Sequence, residues 1–172
     1  YTEGEGHSIN ERLLLPSLTI KGLSSGNVGK KARNVIPNSA TAAIGVRLVK
    51  GNDPEDMLDK IEAHIKSQGF HIVYNAPDLD TRQNYPKIVK VDRRGSGYIA
   101  SRTSMEDPNA KLIINAVKEY VGDDLILMPA LGGSLPLYLF TDYLKKPAII
   151  VPIANHDNNQ HAPNENLRIA NL

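Results

Sequence analysis

The chain has 172 residues, enough for one ordinary domain or two small ones with a core of their own. Its formal net charge is +1 with 23% charged residues, so no bulk basic field invites nucleic acid and no acidic tail is present. Cysteine is absent, which excludes disulfides, thiolate metal sites and a cysteine nucleophile. That absence leaves the compartment open, with the cytoplasm as the working expectation. No apolar run approaches the about 20 residues of a membrane span. Residues 1–12 are too polar for a signal peptide and read as a cut through a longer chain.

Leu18 and Ile20 alternate with Thr19 and Lys21, the period-two pattern of a half-buried strand. A second strand is expected over residues 39–49. It puts Ala40, Ala42, Ile44, Val46 and Leu48 on one face and Thr41, Ala43, Gly45 and Arg47 on the other. A glycine-rich connection, a short basic stretch and Asn34-Val35-Ile36-Pro37 lie between the two. A helix follows, with Asp53 as cap, Pro54 in the first position, and Glu55 and Asp56 at the positive end of the dipole. Leu58, Ile61 and Ile65 repeat at helical spacing and Gly69 stops it. Residues 70–74 alternate as a strand, and residues 88–91 are a further candidate. This half reads as an α+β unit, an antiparallel sheet with one helix on it. The local basic cluster of Lys87, Lys90, Arg93 and Arg94 reads as solvated surface.

The pattern changes near residue 100, and a boundary is placed within residues 92–100, around Arg93-Arg94-Gly95-Ser96-Gly97. It divides residues 1–99 from residues 100–172. Asp107-Pro108 signals a helix start; Ala110, Ile113, Val117 and Val121 share its face, and Gly122 ends it. The apolar runs 125–128 and 148–154 read as strands, with a helix over residues 134–144 between them. That order makes a βαβ unit and a parallel pair. A last helix is expected from residue 165 onward.

Four clusters carry possible chemistry. His156 and His161 lie in the polar loop Asn155-His156-Asp157-Asn158-Asn159-Gln160-His161-Ala162-Pro163-Asn164-Glu165, directly after an apolar run, where α/β proteins place their sites. A neutral imidazole there can bind zinc, although a histidine in a polar loop is more often plain surface. Leu131-Gly132-Gly133-Ser134 stands at an expected helix start, which favours an anion such as a carboxylate; an ordinary turn capped by Ser134 is the plainer reading. Arg102, just ahead of the Asp107 helix, offers a planar fork that fits a carboxylate in two bonds. Asn34 and Arg47 form the fourth cluster, Arg47 lying opposite the apolar row of its strand.

Hydrolytic zinc sites need at least three protein ligands and a base for the water. The five histidines here sit in no His-x-Asp or His-Glu-x-x-His motif, and no Glu-Glu pair occurs. A triad of Ser134, His161 and Asp157 is conceivable, but Ser134 is followed by Leu135-Pro136 and Gly-x-Ser-x-Gly is absent.

Taken in order, these stretches resemble the zinc metallopeptidase family of carnosinase, aminoacylase, acetylornithine deacetylase and glutamate carboxypeptidase. Asn34-Val35-Ile36-Pro37 through Arg47 and Gly51-Asn52-Asp53-Pro54-Glu55 resemble the second half of its lid, or dimerisation, domain. Gly132-Gly133-Ser134 is similar to its substrate-binding turn, and His161-Ala162-Pro163-Asn164-Glu165 to the segment carrying its last metal-binding histidine. Leu135-Pro136 after the turn is closer to the carnosinase and Gly-X carboxypeptidase branch. The resemblance implies a partial lid over residues 1–99 and the C-terminal βαβ part of an α/β catalytic domain over residues 100–172. It implies His161 as a zinc ligand, with His156 the second choice. Arg102, Ser134 and Gly133 would grip the substrate carboxylate, Asn34 and Arg47 being further candidates.

The implied activity of the full-length protein is hydrolysis of a dipeptide, C-terminal peptide or N-acyl amino acid by an enzyme with paired zinc ions and a homodimer joined through the lid. The chain by itself would be inactive, because no catalytic base and only one ligand are identified in it. A non-catalytic binding or dimerisation module on the same scaffold is the competing expectation.

Overall fold

The structure, a computed structural model, describes residues 6–94 and 97–171. Gly95 and Ser96, in the middle of the expected boundary, lie outside the described residues, as do residues 1–5 and Leu172.

The described chain opens with a short helix, α1 (Ile9–Leu13), which the pattern reading missed. Its signal is present, since Ser8 and Glu11 form a reciprocal capping box that satisfies orphan amides at its start. Strands β1 (Ser17–Ser25) and β2 (Ala40–Arg47) pair antiparallel, Ser17 opposite Arg47 and Ser25 opposite Ala40. The register shifts between Ile20 and Gly22. Lys21 is therefore an extra residue on β1, and the bulge moves the apolar phase from Leu18 and Ile20 to Leu23. One face thus carries Leu18, Ile20, Leu23, Ile44 and Val46 as one apolar row.

Helix α2 (Pro54–Ser67) is capped as the sequence predicts: the Asp53 carboxylate accepts the amides of Glu55 and Asp56 at 2.9 and 3.1 Å. Gly69, at φ +83°, closes its C-terminal end in a conformation that side chains with a Cβ rarely adopt. Asp53→Ala is expected to cost about 1 kcal/mol of stability, read as a lower urea midpoint at unchanged slope. An unchanged midpoint would remove the cap from the account.

Two short strands follow, β3 (His71–Val73) and β4 (Ile88–Lys90), with helix α3 (Leu79–Asn84) between them. They pair in parallel, His71 opposite Ile88, so a crossover lies within the half expected to hold only an antiparallel sheet. His71 also stacks on Tyr85 with ring centroids 3.6 Å apart.

The basic cluster Lys87, Lys90, Arg93 and Arg94 is exposed as expected, but Arg93 and Lys87 have partners. Arg93 forms ion pairs with Glu55, Asp59 and Glu62 on α2 at 3.0, 2.6 and 2.7 Å, and Lys87 lies over the Phe70 ring. Glu62 is buried, 6% exposed, and also accepts the Tyr74 hydroxyl at 2.7 Å. Arg93 and then Tyr74 hold the Glu62 carboxyl below its ordinary value of 4.5 despite its burial. A carboxyl depressed on folding adds stability that is fully present above its unfolded value and lost as pH falls through the lower folded one. Glu62→Gln is therefore expected to flatten the acid limb of stability against pH below about 4.5. Parallel acid limbs in the two proteins would contradict this.

In the second half, helix α4 (Pro108–Val121) begins at an Asp107 cap and ends at Gly122, φ +68°, as predicted. The expected βαβ ladder does not form: among the described residues, 125–128 and 148–154 pair with no strand. Both runs instead line a cavity of about 250 Å³ with Ala110, Ile113, Ile114 and Val117 of α4. The Ala148 amide, free of any ladder, is taken by the Thr103 hydroxyl at 2.9 Å.

The helix expected over residues 134–144 shrinks to a π-type turn, Leu139–Tyr143. Pro136 is the cause, because it disfavours the helical region for Leu135 before it. The last expected helix is likewise reduced to the 3-10 turn Ile169–Asn171.

Much apolar surface stays open. The chain exposes 14266 Å², whereas a folded monomer of its mass exposes about 8,300 Å². Among the described residues Ala110, 4% exposed, is the one buried apolar side chain, while Leu18, Ile20 and Leu23 on the sheet face are more than half exposed.

Candidate functional site

Arg47 and Ser134 are brought together although 87 residues separate them: Arg47 Nη1 donates to Ser134 Oγ. Arg47 closes β2 at the end paired with Ser17, and both side chains are exposed. The two halves meet again beside this pair, where Lys50 Nζ reaches Asp142 Oδ1 at 2.6 Å. Lys50 and then Thr141 hold the Asp142 carboxyl below its usual range. Thr141 in turn bonds Ser101 at 2.9 Å, tying the segment that carries Arg102 to the same π-type turn. Arg102 is exposed at the edge of the apolar cavity. Arg47 and Ser134 thus form one contact across the chain, and Arg102 belongs to the separate cavity lining; a guanidinium of either kind has the planar fork that suits a carboxylate.

The geometry removes the helix-start argument expected for Ser134. No helix starts at Ser134, so no helix dipole acts there, and the positive charge comes from Arg47 across the chain. A Cβ added at Gly133 would meet nothing within 4 Å, so the space beside the turn is open to a ligand. Asn34 is not brought to this pair. It lies in the connection beyond the Ser25–Ala40 end of the sheet, and the seven steps of β2 to Arg47 span about 24 Å.

The histidine loop is built separately around Asn155, buried at 7% exposure. Its side chain donates to Asp157 at 2.7 Å and to Asn166 at 3.3 Å, and accepts the Arg168 amide at 3.0 Å. Asp157 is further held by Arg168 at 2.6 Å, and its carboxyl is lowered first by the Asn155 hydrogen bond. It is therefore committed to Asn155 and Arg168, which leaves a Ser134–His161–Asp157 triad without its orienting carboxylate.

His161 is exposed and left-handed at φ +65°, beside Asn159 at φ +57°, and its amide donates to Glu165 Oε2 at 3.4 Å. Such strain is concentrated where surrounding structure holds a residue for use. Among the described residues no three metal-binding side chains converge. His161 thus fits a metal as a single donor, and the other ligands of any site must come from elsewhere. His156 is exposed on the same loop.

Sequence reasoning missed Lys50, Asp142 and Arg168, whose partners are distant in sequence and leave no local signal. Asn155 stood within the loop already singled out, but its burial is not legible from composition.

The chain thus combines an α+β half carrying an exposed arginine with a second half that holds a glycine-rich turn and a histidine loop. Residues 3–72 match the family model of the M20 peptidase dimerisation domain, and beyond it the chain is similar to M20 metallopeptidases. It is 29% identical over 160 residues to the probable di- and tripeptidase DUG2 of Saccharomyces cerevisiae, covering 91% of this chain and 16% of that protein. The Cys-Gly metallodipeptidase DUG1 of the same yeast is 25% identical over 158 residues, covering 91% and 30%. Among solved structures, the M20 family metallo-carboxypeptidase Sso-CP2 from Sulfolobus solfataricus matches with TM-score 0.67 and 25% identity, over 94% of this chain and 33% of that one. The chain therefore spans a third or less of the length of these relatives. No helix among the described residues is long and apolar enough to cross a membrane.

Proposed function

We propose that this chain is the carboxylate-gripping part of a metal-dependent peptidase, cleaving a dipeptide, C-terminal peptide or N-acyl amino acid next to a free carboxylate. The observation that carries the reading is the Arg47–Ser134 contact, which joins the two halves at a cationic, open turn. Residues 1–99 are the second half of the lid and residues 100–172 the C-terminal part of the catalytic domain. The lid makes the enzyme a homodimer, and the cytoplasm is its compartment. Exposed apolar faces and the lack of a closed core support a chain that works within a larger protein.

The metal is zinc, for which His161 is a fitting donor and His156 the alternative. When bound, such an ion polarises a carbonyl and lowers the pKa of water. What this chain contributes is binding and orientation: Arg47, Ser134 and Arg102 hold the carboxylate, and Gly133 lets the substrate approach. By itself it is inactive. Arg102→Ala in the full-length protein is expected to raise KM for free-carboxylate substrates about tenfold with kcat nearly unchanged. An equal loss on amidated substrates would remove Arg102 from the grip. Turnover by the 172 residues alone with added zinc would overturn the division of labour.

A further inference from the structure

Arg93 stands where the chain leaves β4 and crosses toward the second half. Its Nη1, Nη2 and Nε donate to Glu55, Asp59 and Glu62 at 3.0, 2.6 and 2.7 Å. Those carboxylates are four and three residues apart, so they form one stripe along α2. Glu62 is buried and fixed from the other side by Tyr74. Gly97 touches the first turn of the same helix, where an added Cβ would stand 3.1 Å from Pro54 Cβ. The next residue, Tyr98, stacks on Tyr138 of the second half with centroids 5.6 Å apart. Arg93 and Gly97 thus both lie against α2, and Tyr98 meets the second half.

Helix α2 is itself coupled to the site. It starts shortly after Arg47, through a turn closed by Asn52 onto the Val49 amide at 3.2 Å and by the Asn52 amide onto the Val49 carbonyl at 3.1 Å. We propose that Arg93 is a latch, a positioning residue that fastens the crossing segment to α2 and thereby holds Arg47 against Ser134. Isolated exposed ion pairs contribute little. One planar guanidinium shared by three carboxylates, one of them buried, is a network with a single geometry, which lysine's point charge does not reproduce. The positioning role rests on the carboxylate-grip reading above; the latch itself does not.

The test uses the full-length protein with Glu55→Gln/Asp59→Asn, which keeps Arg93 and the helix. Trypsin cleavage after Arg93 is followed by peptide mass, with cleavage after Lys118 in α4 as the internal reference. Loosening of the guanidinium, left with Glu62 alone, is expected to speed cleavage after Arg93 about fivefold, leave Lys118 unchanged, and raise KM with kcat held. Unchanged cleavage after Arg93, or a rise in step with Lys118, overturns the latch. Faster cleavage after Arg93 with wild-type KM overturns its positioning role. A wild-type protein without hydrolytic activity sinks the peptidase reading instead, and the cleavage ratio still decides the latch.

Discussion

His161→Ala in the full-length protein is expected to strip bound zinc and to lower hydrolysis by more than a hundredfold. Mutating only the outer-shell partner of a ligand costs about 10- to 100-fold in affinity or activity, so losing the donor itself lies beyond that range. The metal content is the decisive readout because it needs no substrate. His156→Ala is the matched control: it lies on the same loop, is equally exposed, and should keep its metal. Loss of zinc in His156→Ala but not in His161→Ala would transfer the assignment, and retention in both would reject this loop as a ligand source.

The loop's own architecture supports such a clean contrast. Asn155 and Arg168 organise it through Asp157, and none of those contacts passes through either imidazole. Removing a ring should therefore leave the loop standing. Asn155→Ala is the opposite case, because it leaves Asp157 and the Arg168 amide without their shared partner. A metal loss there would report collapse of the loop, whereas a metal loss in His161→Ala at unchanged thermal stability reports a missing donor.

What was legible in the sequence was local. Asp53-Pro54 and Asp107-Pro108 start their helices, Gly69 and Gly122 end them, and the alternation around Leu18 and Ile44 marks the paired strands. Each of these depends on residues within a turn of one another. The expected helix at Ser134 failed on a local rule that was overlooked, the effect of Pro136 on Leu135. The strands at 125–128 and 148–154 failed for a different reason. An apolar run specifies burial, but a ladder also needs a neighbouring backbone, and these runs line a cavity together with α4 instead. The bulge at Lys21 was illegible because it depends on register with a strand more than twenty residues away, and the Arg93 network because it joins residues more than thirty apart.

The same distinction sets the value of Arg47→Ala. Read along the strand, Arg47 was one more exposed residue opposite an apolar row; only the fold puts it on Ser134. A hydrogen bond to a charged group contributes about 1.5–3 kcal/mol, so losing the guanidinium is expected to raise KM for free-carboxylate substrates about 10- to 100-fold. With an amidated substrate the effect should shrink, because no charge remains to be gripped. Ser134→Ala keeps the cation and should cost less, about tenfold or below. If both residues hold the same carboxylate, the double variant should fall short of the product of the single effects, since partners in one contact are not additive. A strictly multiplicative loss would mean that the two side chains act on different parts of the substrate. A fall in kcat at constant KM would place Arg47 in the reaction rather than in binding.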